Sequence, residues 1–217
     1  MALSDKRILE EKELGNIVIS PFDMRNLSTS SYDVTLGANF YRSKPLSNYV
    51  FNIYNEEQTK QHWRLEKAIL FGSLGLPPTK GISQEDEVVM ISPGETILAH
   101  TNEFIGGRNH ITTMMKSRSS MGRQGIAVCK CAGWGDVGFI NRWTLEITNF
   151  SQHHVIPLVV GRRIAQIVFF DTGPILDLDY AVKGKYQTAQ TLEVLERDWK
   201  PEDMLPKLYK DRDIKHG

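Results

Sequence analysis

Net charge is the first thing this chain does not have: 26 lysines and arginines are matched by 26 aspartates and glutamates. A neutral total offers no long-range attraction to a nucleic-acid backbone, which leaves only a local basic cluster from Arg118, Arg123, Arg162 and Arg163. Nor is there an apolar run near the roughly 20 residues that a membrane span needs. The start is charged from Asp5 onward and lacks an apolar h-region, so neither a signal peptide nor a membrane partner is expected. Only 2 cysteines occur, Cys129 and Cys131. Neighbours on one strand face are badly placed for an intramolecular disulfide, and they read as free thiols in a reducing, cytoplasmic compartment.

Several chemical signatures are also missing. No GxGxxG, Walker-type or GxSxG element is present. The 6 histidines form no metal set, and His153 and His154 are adjacent, so on a strand they point to opposite faces. The His-x-Glu…Pro-Cys-x-x-Cys pattern of zinc deaminases is absent. No structural or catalytic zinc is expected.

What is present is a chain of 217 residues, enough for one sizeable domain with its own core. Ser4 reads as the N-cap of a short helix carrying Ile8, Leu9 and Leu14 and ended by Gly15. NIVISPF and SSYDVTLGANFYR then read as strands, with Gly37 marking a turn or bulge. Residues 43–87 are irregular. QTKQHWRLEKAILFG forms a helix or a connection, and GLPPTKGISQEDE a loop. From Val88 to Phe170 short alternating runs recur with turn signals between them, which argues for an antiparallel sandwich or barrel with few other helices. The domain is expected over 1–190. The extension over 191–217 starts with the helical pattern TLEVLERDW and continues as a polar segment with two prolines, expected to be extended or mobile.

The chemistry concentrates in residues 116–149. RSSMGR places Ser119 and Arg123 one helical turn apart, where a serine would cap the turn and its free N–H groups would favour an anion; an ordinary capped surface turn fits equally. GWGDVGF surrounds Asp136 with three glycines that let the backbone approach a ligand, or simply form a hairpin turn. In RWTLEITN, Trp143, Leu145 and Ile147 face one way while Thr144, Glu146 and Thr148 face the other, so Glu146 meets either solvent or a site. Gln166 is a lone polar group in the apolar run RIAQIVFF, satisfied by backbone or aimed at a ligand.

In order along the chain, LSDKRI, ISPF, SSYDVTLG, RSSMGRQG, AGWGDVGF with TLEIT, VGRRIAQIVF and KYQ resemble the dCTP deaminase branch of the dUTPase-like family. The series runs from Leu3 to about Lys185. The resemblance implies a mainly β fold, a distorted jelly roll of the dUTPase-like β-clip type, assembled as a homotrimer with active sites at subunit interfaces. It implies that Ser119 and Arg123 hold the attacking water and the base, and that Glu146 is the catalytic glutamate. It places Arg118, Ser119, Ser120 and Gln166 at the triphosphate, Asp136 beside the deoxyribose, and Ala132 where backbone meets the cytosine ring. Tyr180, Lys185 and a glutamine, either Gln187 or Gln190, match the closing tail. Mg²⁺ would enter with the triphosphate. Plain dUTPases share the RSS, Gly-Asp and RIAQ elements and lack the glutamate of TLE.

The first functional expectation is therefore a hydrolase acting on a cyclic amidine C–N bond: dCTP plus water to dUTP and ammonia, in deoxynucleotide metabolism. The alternatives are a bifunctional enzyme that continues to dUMP and pyrophosphate, and a non-catalytic nucleotide-binding homologue. Two departures from the family pattern bear on these readings. Cys131 stands for the usual Thr and Gly135 for the usual Ile, a lost hydroxyl and an added flexible glycine that are expected to alter water positioning or base choice. TLEVLERDWKPED also lacks the usual Gly-rich lid.

Overall fold

The computed structural model describes residues 1–47, 49–176, 180–187, 189 and 191–214. The chain begins with α1 (Asp5–Glu13), whose start is capped by Ser4 Oγ accepting from the Arg7 N–H and whose exit passes through Gly15 at φ 78°. Next come β1 (Ile17–Ser20), β2 (Leu27–Ser28), β3 (Ser31–Thr35) and β4 (Asn39–Ser43). The irregular region holds α2 (Glu56–His62), β5 (Trp63–Lys67) and β6 (Ile69–Leu70). The long strands follow: β7 (Glu87–Ile91), β8 (Thr96–Gly107) and β9 (Ile111–Ser117). After α3 (Ser119–Arg123) come β10 (Ile126–Ala127), β11 (Trp134–Gly135), β12 (Ile140–Asn149), β13 (Ile156–Val159) and β14 (Arg163–Asp171). The chain closes with α4 (Tyr180–Lys183) and α5 (Leu192–Asp198).

The fold is predominantly β, with short helices and antiparallel pairing throughout. One sheet has the order β10-β12-β8-β4-β5, with β1 joining the far end of β8; a second runs β11-β9-β14-β3-β2; a third, of three strands, runs β13-β7-β6. The main core lies between the first two sheets and includes Val34, Ile97, Leu145, Ile147, Ile167 and Phe169. These are the inward members of alternating strands, as the period of two requires. Among the described residues no helix is long and apolar enough to cross a membrane.

The sequence TKQHWRLEKAILFG turns out to be divided: α2 ends at His62, and Trp63 begins a strand paired with β4 along its whole length. The helix stops because the β4 edge offers Trp63–Lys67 a hydrogen-bonded partner, a tertiary opportunity that local propensity does not register. Gly37 joins β3 to β4 for a steric reason, since a Cβ there would lie 2.0 Å from the His100 ring.

The described part of the extension, 191–214, packs one side onto the domain instead of standing free of it. α5 buries Leu195 against Phe104 and Ile140. After it, a 3-10 turn at Pro201–Met204 places Met204 and Leu205 in a second cluster with Tyr41 and Leu98. Few apolar residues suffice, because each one meets an aromatic or aliphatic patch already exposed on β4 and β8.

His100 sits under this cover, 1% exposed, with its ring 4.7 Å from that of Trp199. Its Nδ1 lies 2.8 Å from the Thr101 carbonyl and its Nε2 faces the Asn39 N–H. Burial pushes the imidazole down to about 4, from an ordinary 6.5. Between those values the unfolded chain takes up a proton that the folded chain refuses. The contribution of neutral His100 is complete above pH 6.5 and is lost as pH falls to 4, up to about 3 kcal/mol. A His100→Gln variant lacks this component. Urea denaturation should show the stability gap between wild type and variant shrinking from pH 7 to pH 4; a constant gap would contradict a neutral buried imidazole.

Candidate functional site

The strand β12 positions the site. Trp143, Leu145 and Ile147 are buried in the core, so Arg142, Thr144 and Glu146 stand on the opposite face, each half-buried. The register with β8 breaks between Arg142 and Thr144, where the Trp143 N–H donates to Thr101 Oγ1 at 2.9 Å instead of to a strand carbonyl. Above this face lies a cavity of about 370 Å³. Its floor holds Thr144, Glu146 and Arg142, one wall Ala132, Trp134, Asp136 and Phe139, and the other wall Asp203, Met204 and Pro206.

Glu146 Oε2 accepts the Lys130 N–H at 3.2 Å, while the Lys130 ammonium donates to Thr96 Oγ1 at 2.9 Å. Burial pushes the Glu146 carboxyl above its ordinary 4.5, and the Lys130 N–H and charge only partly oppose this. A carboxyl so placed can take and release a proton near neutrality more readily than a solvated one. The loop that supplies Lys130 continues through Cys131, exposed and at φ 63°, to Ala132 on the cavity wall.

Asp136 follows β11 and is exposed to the cavity. Gly135 before it is not a source of flexibility. Its φ is not in the left-handed region, and a Cβ would lie 2.4 Å from Thr113 Oγ1 and 2.5 Å from the Trp143 ring. The large indole of Trp143 occupies the room that an isoleucine side chain would need, so the two positions trade volume across the sheets. A Gly135→Ala substitution should destabilise the fold by about 1–3 kcal/mol through overpacking. A midpoint in urea unchanged from wild type would show that the indole moves aside freely.

The expected site residues fall into two groups. Glu146, Asp136, Ala132 and Tyr180 line the cavity, with the Tyr180 ring edge-on to Phe139 at 5.3 Å. Arg118, Ser119, Ser120, Arg123 and Gln166 do not line it. They lie towards the end of the second sheet where β9 passes into α3. Ser119, Ser120 and Arg123 are exposed. No serine caps α3: the N-cap is Arg118, without a side-chain cap hydrogen bond, and neither serine hydroxyl finds a hydrogen-bond partner among the described residues. Arg118 and Arg163 share the buried Asp33 carboxylate at 3.3 and 3.1 Å. Gln166 is opposite Asp33 on one side and Lys116 on the other, on the outward face of β14, so it is neither buried in the core nor satisfied by it. Lys185 forms an ion pair with Asp211 of the extension, which raises its pKa. Gln187 is buried, accepting the Ile140 N–H at 2.7 Å, and serves as a structural tie. Gln190 lies outside the described residues.

Thr144, Arg142, Phe139, Tyr186 and the three extension residues were not singled out by sequence reasoning. For Arg142 and Thr144 the signal was available, since they share the polar face of Glu146 by alternation. For Asp203, Met204 and Pro206 there was none, because nothing local places a polar tail over a strand a hundred residues earlier. Among the described residues no group of three or more His, Cys, Asp or Glu is arranged to hold a metal ion.

Comparison with known proteins gives the family of the chain. A family model described as dCTP deaminase-like matches residues 2–172. The chain belongs to this family. Among its relatives is a Clostridium beijerinckii protein named "dCTP deaminase, dUMP-forming", 32% identical over 89% of this chain and 94% of that protein. A Hydrogenobaculum protein of the same name is 34% identical over 78% and 81%. Among solved structures, the 2'-deoxycytidine 5'-triphosphate deaminase of Agrobacterium tumefaciens superposes with a TM-score of 0.54 at 15% identity, covering 77% of this chain and 47% of that one. That likeness concerns the fold. The match to the family model ends at residue 172, so α4, α5 and the extension lie outside that model, while relatives such as a Methanococcus maripaludis protein of the same name align over 92% of this chain.

Proposed function

We propose that this dCTP deaminase-like protein hydrolyses dCTP to dUMP, ammonia and pyrophosphate. The observation that carries the deamination is Glu146: a half-buried carboxyl of raised pKa on the floor of a base-sized cavity. Relatives named dUMP-forming and the presence of Asp136 in the same cavity favour continuation past dUTP, and so displace the simpler reading in which dUTP is released. In the first step the water oxygen bonds to C4 while Glu146 takes a proton from the water and delivers it to N3. The remaining hydroxyl proton passes through Glu146 to the amino group, the C4–N bond breaks, ammonia leaves and a carbonyl stays at C4. In the second step Asp136 takes a proton from another water as its oxygen bonds to the α-phosphorus, and pyrophosphate departs, leaving dUMP.

Ser119 and Arg123 orient the first water in this reading, although they stand outside the cavity of their own chain. A homotrimer in which α3 of one copy faces the cavity of the next reconciles the two groups, and the exposure of Ser119, Ser120 and Arg123 supports it. Arg118, Ser120 and Gln166 would then hold the triphosphate by charge-assisted hydrogen bonds. These are donors, suited to phosphate oxygens, so Mg²⁺ would be held by the nucleotide, where it offsets phosphate charge.

Incubation of the protein with dCTP and Mg²⁺, followed by anion-exchange separation, should yield dUMP and pyrophosphate with little dUTP. Accumulated dUTP would refute the second step, and unchanged dCTP would refute both. Glu146→Gln should lower kcat/KM at least about 100-fold while retaining dCTP affinity. Because Glu146 must be ionised to accept the water's proton, kcat/KM of the wild type should rise with pH through a midpoint above 4.5. Ser119→Ala and Glu146→Gln proteins, unfolded and refolded together, should regain activity that neither has alone; no regain would exclude a site shared between copies.

A further inference from the structure

Arg142 is the group in the cavity that the proposed reaction leaves unused. Its guanidinium is held between two rings, 5.0 Å from the centre of Phe104 and 4.7 Å from that of Trp199. Phe104 is its cross-strand neighbour on β8, and Trp199 comes from the extension. The Nε atom is buried without a hydrogen-bond partner. Among the described residues no carboxylate stands within ion-pair distance of it; Glu103 is engaged by the Thr35 N–H and hydroxyl at 2.9 and 2.8 Å. A partly desolvated cation with an unmade N–H bond is costly unless something completes it. Two flat faces fix the plane of the guanidinium, so its donors are aimed before any ligand arrives.

The surroundings indicate what completes it. Arg142 lines the same cavity as Glu146 and stands two alternations along the same strand face, at a Cα separation of about 13 Å. Side chains leaning in from both positions bracket a span that one pyrimidine nucleotide fills. The segment before the extension is fastened here by Asn141 Nδ2 donating to the Tyr186 carbonyl at 2.9 Å and by Gln187 on Ile140, and the extension itself by Trp199 over both His100 and Arg142. Its Asp203, Met204 and Pro206 then close the opposite wall.

We propose that Arg142, clamped by Trp199 of the C-terminal extension, is a substrate-binding residue that donates to an oxygen of the bound pyrimidine nucleotide. The extension, which lies beyond the residues that the family model matches, thereby contributes to substrate affinity. This inference rests on the nucleotide reading of the cavity, and its test separates the two.

Turnover of dCTP by the wild type tests that reading. For the inference, Arg142→Leu should raise KM for dCTP about 10-fold or more, with kcat changed much less, and Arg142→Lys should recover part of the loss. Trp199→Ala should raise KM in the same way, whereas Trp199→Phe, which keeps an aromatic face, should stay near wild type. Should Arg142→Leu fail to fold, Trp199→Ala against Trp199→Phe and Arg142→Lys against wild type carry the same comparison, and KM unchanged in both Trp199→Ala and Arg142→Lys would overturn the inference. The position of the oxygen follows from dCTP, dCMP and deoxycytidine binding to Glu146→Gln protein with and without Arg142→Leu. A loss common to all three assigns an oxygen of the nucleoside, on the base or the sugar, and a loss confined to the phosphorylated ligands assigns a phosphate. Folded Arg142→Leu protein that turns over dCTP with KM within twofold of wild type would overturn the inference and make the clamp a packing feature alone.

Discussion

The alternation of β12 against β8 is the constraint on which the rest of the molecule depends. Trp143, Leu145 and Ile147 are held in the core by the main sheet contact, and a strand with one buried face has no freedom in the direction of its other side chains. Arg142, Thr144 and Glu146 therefore share one outward row. A slip of one residue would bury Glu146 in hydrocarbon and expose Trp143. The same packing that stabilises the domain thus aims the carboxyl, and the site needs no loop to position its central group.

An outward row on a sheet would ordinarily face water, and a carboxyl there would behave as a solvated one. The extension changes that. Leu195, Trp199, Met204 and Leu205 settle on Phe104, His100, Leu98 and Tyr41, which covers β8 and raises a wall beside the row on β12. The desolvation that raises the Glu146 carboxyl and lowers the Arg142 guanidinium follows from partial enclosure. Stability and site chemistry are coupled through this cover: it buries His100 and shapes the cavity with the same few side chains.

Gly135 and Trp143 show how a departure from a family pattern is absorbed. Read along the chain, a glycine in place of isoleucine means looseness. Across the sheets it means that an indole has taken the volume, since Trp143 and Thr113 leave no room for a Cβ. The turn that presents Asp136 is thereby packed from below, and Asp136 stays in the cavity with Ala132 and Glu146.

The strands β7, β8, β10, β12, β13 and β14, α1 with its Ser4 cap, and the outward direction of Glu146 were determined by the sequence alone, because periodicity of two, caps and turn residues act over a few neighbours. The ordered motifs likewise pointed to Ala132, Asp136, Glu146 and Tyr180, which the structure brings to one cavity. Only the tertiary structure decided that Trp63–Lys67 is a strand, that Gly37 and Gly135 are steric rather than conformational requirements, and that α3 is parted from the cavity within one chain. It alone brought Trp199, Met204 and Leu205 onto β4 and β8. Each of these depends on contacts between residues far apart in sequence, whose energy comes from the surface they meet and is absent from any local window of the chain.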